Sequence, residues 1–152
     1  MSCLPLMLGT EHFFRISHLF INPKKNMTTI FSEAAPKAIG PYSHAIRTGN
    51  LLYCSGQTPL EPESMSIETT DIESQTRRAL RNLEIILHDA GLTLADVVKT
   101  NVYLSDMANF GAMNAVYAEC FGSHRPARTT VAVLGLPHNA LVEIECIAEF
   151  KD

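Results

Sequence analysis

Arg125-Pro-Ala-Arg-Thr-Thr-Val-Ala-Val-Leu-Gly-Leu-Pro-His-Asn-Ala-Leu-Val-Glu-Ile-Glu-Cys-Ile-Ala-Glu-Phe150 reads as two β-strands around a short Gly/Pro/Asn connection. Side chains alternate along a strand, so Arg128, Thr130 and Ala132 share one face and Thr129, Val131 and Val133 the other. On the second strand Leu141, Glu143, Glu145 and Ile147 share a face, with Val142, Ile144, Cys146 and Ala148 behind. The two strands are expected to pair antiparallel. A guanidinium among apolar strand residues cannot shed its charge, so Arg128 needs a partner. That partner is either one of these glutamates, in a cross-strand ion pair, or the carboxylate of a ligand.

Working outward, the chain of 152 residues is 46% hydrophobic and 18% charged, enough apolar content for one domain with a core. Its formal net charge of −4, without a run of Lys/Arg, argues against nucleic acid as the main partner. Cys3, Cys54, Cys120 and Cys146 show no C-x-x-C spacing and read as small hydrophobes in a reducing compartment. The six histidines form no zinc pattern, so neither metal nor cofactor is expected. No apolar run is long enough to span a bilayer, which predicts a soluble chain without membrane partners.

Residues 1–26 differ in character from the rest and are set apart as an N-terminal extension. They hold a possible short amphipathic helix in His12–Ile21 but lack the charged start of a secretory signal. The alternatives are an upstream start codon, a disordered extension or a transit peptide. Location is accordingly expected to be cytoplasmic, or mitochondrial in the last case.

The domain proper, 27–152, opens with a strand at Thr28–Ser32. A Pro/Gly-punctuated loop then enters a second strand at about Ser43, and Thr48-Gly49-Asn50 turns it into a third, Leu51–Ser55. Thr70–Ala90 is the clearest helix, with Thr70 and Glu73 as a capping box and Gly91 as its stop. Its apolar stripe is Ile72, Thr76, Ala79/Leu80, Leu83, Ile86/Leu87 and Ala90. Val97–Leu104 is a strand, and Ser105 or Asp106 caps a helix over Met107–Phe121. The resulting β-β-β-α-β-α-β-β order predicts an α+β domain, a mixed sheet with two helices on one face.

Pro126-Ala-Arg128-Thr, Leu136-Pro137 and Leu141-Val-Glu143-Ile-Glu145 together resemble the C-terminal signature of the YjgF/RidA reactive-intermediate deaminase family. Gly40-Pro-Tyr42-Ser and Ser55-Gly-Gln57 are similar to its two N-terminal motifs, and Asn114-Ala-Val-Tyr117 falls in register with it. The likeness covers about Thr28 to Asp152. It implies a chorismate-mutase-like fold and a homotrimer with a central barrel-like core and ligand clefts between subunits. It also implies metal-independent hydrolysis of 2-imino and enamine acids, such as 2-aminoacrylate/2-iminopropanoate and 2-iminobutanoate, to 2-oxo acids and ammonia. In that chemistry Arg128 would hold the substrate carboxylate and Glu143 would manage the proton of a water. Tyr42, Ser55, Asn114 and Thr130 would complete the pocket. Thr130 stands where several bacterial relatives carry Cys. The rival readings are a non-catalytic ligand-binding or chaperone-like trimer, and a ribonuclease or translation inhibitor.

Overall fold

The computed structural model describes residues 27–151; the extension 1–26, with Cys3, lies outside the described residues. Six strands form one mixed sheet: β1 (Met27–Ile30), β2 (Ala45–Thr48), β3 (Leu51–Gln57), β4 (Val97–Leu104), β5 (Ala127–Ala132) and β6 (Val142–Glu149). Two α-helices, α1 (Ile72–Asp89) and α2 (Phe110–Phe121), complete the expected order. Across the sheet the strands run β1-β2-β3-β6-β4-β5.

That order overturns the antiparallel pairing expected of the last two strands. β6 pairs antiparallel with both β3 and β4, whereas β5 runs parallel to β4 on its far side and forms a sheet edge. The reason is visible in the partners. The apolar positions of β6 alternate without a break from Val142 to Ala148, all buried, and such a strand needs neighbours on both sides. β5, with Arg128 and its four threonine and alanine residues exposed or only partly covered, is suited to an edge.

Both helices cover one face. Val102, Leu104, Val142, Ile144 and Ala148 point into it from the sheet, and none is accessible to solvent. α1 answers with Leu80, Leu83, Ile86 and Leu87, each at most 1% exposed. Burial of such side chains contributes about 1.5–3 kcal/mol apiece. The helix starts one residue later than expected: Asp71, not Thr70, is the cap, and its carboxylate accepts the Ser74 amide at 2.7 Å. It ends where Gly91 adopts φ +80° and the Leu92 amide returns to the Leu87 carbonyl at 2.8 Å. α2 is led in by a 3₁₀ turn, Met107–Asn109, capped by Asp106.

Among the described residues the other face of the sheet carries no helix. Tyr53, Lys99, Asn101, Tyr103, Glu143, Glu145 and Ile147 project there, alternating with the core residues of their strands. The candidate residues thus belong to two faces of the sheet. No helix of the described residues is long and apolar enough to cross a membrane.

Candidate functional site

The open-face half of the site is built by an irregularity in β3. Cys54 pairs with Cys146 and Gln57 with Ile144, so Ser55 and Gly56 together stand opposite Glu145 alone. This bulge re-aims the strand at the Ser-Gly-Gln motif. Gly56 cannot carry a side chain: a Cβ there would run into the Glu143 carboxylate, with Cδ at 2.9 Å and Cγ at 3.1 Å. The glycine is what lets the carboxylate lie down against backbone.

Around it opens a cleft of about 320 Å³ lined by Tyr42, Ser55, Gly56, Pro137, Glu143 and Glu145 among others. Burial raises the Glu143 pKa above the ordinary carboxylate value, and the neighbouring Glu145 raises it further. Among the described residues Glu143 accepts no hydrogen bond and joins no ion pair. Glu145 is different. Its Oε1 accepts from Asn101 Nδ2 at 2.6 Å and from the Tyr103 hydroxyl at 3.2 Å, so it is braced rather than poised. Within one chain Glu145 is therefore not the partner of Arg128, an alternative that the sequence left open.

Ser55 donates its hydroxyl proton to the Ser43 carbonyl at 2.7 Å, which leaves its lone pairs as acceptors. Tyr42 is 43% exposed and accepts a long bond, 3.4 Å, from the Ile39 amide, leaving its own proton to donate. The loop that delivers Tyr42 is fastened by His44, which is only 4% exposed. Its Nδ1 accepts from the Ser32 amide at 2.8 Å, so the ring proton sits on Nε2, donated to the Pro36 carbonyl at 2.9 Å. Sequence reading passed over His44, because a histidine with both nitrogens satisfied by backbone leaves no motif.

Arg128 is on the helix face. Its register partner is Thr100, a core position, and its Nη2 donates to Asn114 Oδ1 of α2 at 2.7 Å. The Tyr117 ring lies 4.5 Å from the guanidinium carbon. No salt bridge among the described residues involves Arg128, so the cross-strand Arg–Glu pair is absent. Thr130 shares this face, and its buried hydroxyl has no hydrogen-bond partner among the described residues. Arg128, Asn114 and Thr130 thus gather at the β5 edge, whereas Tyr42, Ser55 and Glu143 gather across the sheet. One chain does not bring the two groups together.

The three arginines of α1 are each engaged by a carboxylate: Arg77 by Glu119, Arg78 by Glu61 and Arg81 by Glu84. Among the described residues no cluster of His, Cys, Asp or Glu is arranged to hold a metal.

Comparison with known proteins agrees with this architecture. The chain is 53% identical over 119 residues to a RutC family protein of Pyrococcus horikoshii, spanning 78% of this chain and 94% of that one. It is 44% identical over 119 residues to the chloroplastic Reactive Intermediate Deaminase A of Arabidopsis thaliana, covering 78% and 64% of the two chains. A crystal structure of a Rid-family protein, YyfA of Yersinia pestis, superposes with a TM-score of 0.79 at 43% identity, covering 82% of this chain and 99% of that one. Residues 32–150 match the family described as Endoribonuclease L-PSP. With its six-stranded mixed sheet, two helices on one face and these motifs in place, the chain belongs to that family, the YjgF/Rid family.

Proposed function

We propose that this protein is a hydrolytic deaminase of reactive 2-imino and enamine acids, with 2-iminopropanoate and 2-iminobutanoate as substrates and 2-oxo acids and ammonia as products. The observation that carries the reading is Glu143, a carboxylate with a raised pKa and no partner, facing a cleft that also presents two hydroxyls. An imine carbon is electrophilic once its nitrogen is protonated, so the reaction needs a placed water and a group to relay its proton. A carboxyl with its pKa moved up towards neutrality is better matched to both halves of that relay.

In the proposed sequence Glu143 takes a proton from water as its oxygen bonds to the imine carbon. Glu143 then returns that proton to the nitrogen, the C–N bond breaks to release ammonia as the C=O bond forms, and the carbinolamine hydroxyl proton passes to the Glu143 carboxylate and on to solvent. Ser55 accepts a hydrogen bond from the water or the imine N–H, and Tyr42 donates one to the substrate. Arg128 holds the substrate carboxylate through two parallel N–H donors, a geometry that Lys does not offer. Asn114 holds the guanidinium, and Thr130 offers a hydroxyl with unmet hydrogen-bonding capacity beside it.

Because Arg128 and Glu143 face opposite sides of one sheet, this chemistry requires two copies. We propose a homotrimer in which Arg128 of one subunit meets Glu143 of the next. The uncovered sheet face with Tyr53 and Val131, 44% and 42% exposed, supplies apolar surface for that contact.

The test is the rate of 2-oxo acid and ammonia formation from freshly generated 2-iminopropanoate and 2-iminobutanoate, with semicarbazide as a competing trap. Acceleration by wild type and its loss in Arg128→Ala is the expected result. No acceleration by the folded protein would sink the deaminase reading and leave a ligand-binding one.

A further inference from the structure

Arg128 is tethered at one nitrogen by Asn114, 2.7 Å away, and a single hydrogen bond leaves the fork free to swivel about it. A second contact removes that freedom. The guanidinium carbon lies 4.5 Å from the centre of the Tyr117 ring, well inside the roughly 6 Å within which a cation is drawn to an aromatic face. Phe110 is farther, at 5.9 Å, and more exposed.

The Tyr117 ring is itself immobilised. Its hydroxyl shares a hydrogen bond of 2.7 Å with the Thr100 hydroxyl, inside the core, where Thr100 has no solvent exposure. Phe121 stacks on it with ring centres 4.4 Å apart. Thr100 is also the β4 register partner of Arg128. The ring therefore runs from an anchor on one strand to a seat beneath the arginine of the next.

We infer that Tyr117 is a positioning residue: its ring, moored to Thr100, holds the Arg128 fork in the orientation that two-pronged capture of a substrate carboxylate requires. The inference rests on the proposal that Arg128 binds that carboxylate. A carboxylate contact is made in the ground state and the transition state alike. Loosening it raises KM and changes kcat little.

Tyr117→Phe and phenylalanines carrying one to five ring fluorines test this, since fluorine drains electron density from the ring face and nearly preserves ring size. Tyr117→Phe keeps the ring face and loses the Thr100 mooring, so it is expected to raise KM about threefold, the scale of one neutral hydrogen bond. Full fluorination is expected to raise KM about tenfold, the scale of a desolvated cation–aromatic contact. Across the series kcat should change less than about threefold, and the melting temperature should not track KM. A flat KM series, in a protein where Arg128→Ala does raise KM, would overturn the inference and leave the site intact. A KM that rises only in step with falling melting temperature would reduce Tyr117 to packing and overturn it too. If Arg128→Ala itself changed nothing, the reading of the site would fall first.

Discussion

Gly56 matters for the space it leaves. Gly56→Ala puts a methyl group where the Glu143 carboxylate lies, and the far end of a glutamate can swing away at little cost to folding. The expected outcome is a loss of at least tenfold in kcat/KM with helix content unchanged by circular dichroism, because a misplaced base loses much of the 10²–10⁴-fold that such a group contributes. Glu143→Gln should fall at the larger end of that range. It should also remove the acid limb of the pH–rate profile, which in wild type is expected above the ordinary Glu range near 4.3, since in the proposed mechanism Glu143 must be ionised to act.

The same group makes a stability statement. Folded Glu143 holds its proton to higher pH than the unfolded chain does, so stability falls as pH rises between the two values, and the full penalty remains above both. Glu143→Gln is therefore expected to be more stable than wild type to urea at neutral pH, with no advantage below the unfolded pKa. Motif resemblance named Arg128, Glu143, Tyr42 and Ser55. It was silent on Gly56 as a seat and on His44 as a brace, because both act through backbone proximity that no spacing encodes.

Among the elements, α1 was legible because 3.6-residue periodicity over five turns leaves little ambiguity. Asn82 was not, since an amide on an apolar stripe reads as a lapse in the pattern. It is fully buried, and its Nδ2 donates to the Thr58 and Leu60 carbonyls at 3.0 and 2.9 Å, tying the loop after β3 to the helix. Asn82→Ala strands both carbonyls and is expected to cost about 2–4 kcal/mol in urea unfolding, with the midpoint shifted at constant slope. The pairing of β5 was illegible for a different reason. Alternation reveals which face a residue takes but not which strand lies beside it. Arg128 and Glu143 were each assigned correctly within a strand, and only the strand order shows that β4 separates them.

For the whole molecule, the decisive feature is that the two groups of site residues occupy opposite sides of one sheet. If the active site spans subunits, Arg128→Ala and Glu143→Gln, each nearly inactive alone when assayed at substrate well below the KM of Arg128→Ala, should complement one another. Unfolding and refolding an equal mixture gives random trimers, in which about a quarter of the interfaces pair an intact arginine with an intact glutamate. Recovery of activity towards that fraction is expected, measured on the mixture against each variant refolded alone. No recovery would return the site to a single chain. The element order already put both helices on one face; that the other face meets neighbouring subunits is implied only by the resemblance, since composition does not report what a surface is for.

The two-sided layout also carries a consequence in mass action. If the site is completed between subunits as proposed, a solitary copy of this fold holds a carboxylate clamp and a proton relay aimed away from each other, and a chain on its own lacks a complete site. Turnover per chain would then depend on how many neighbours the solution supplies, and dilution would act as a reversible off-switch with no inhibitor involved.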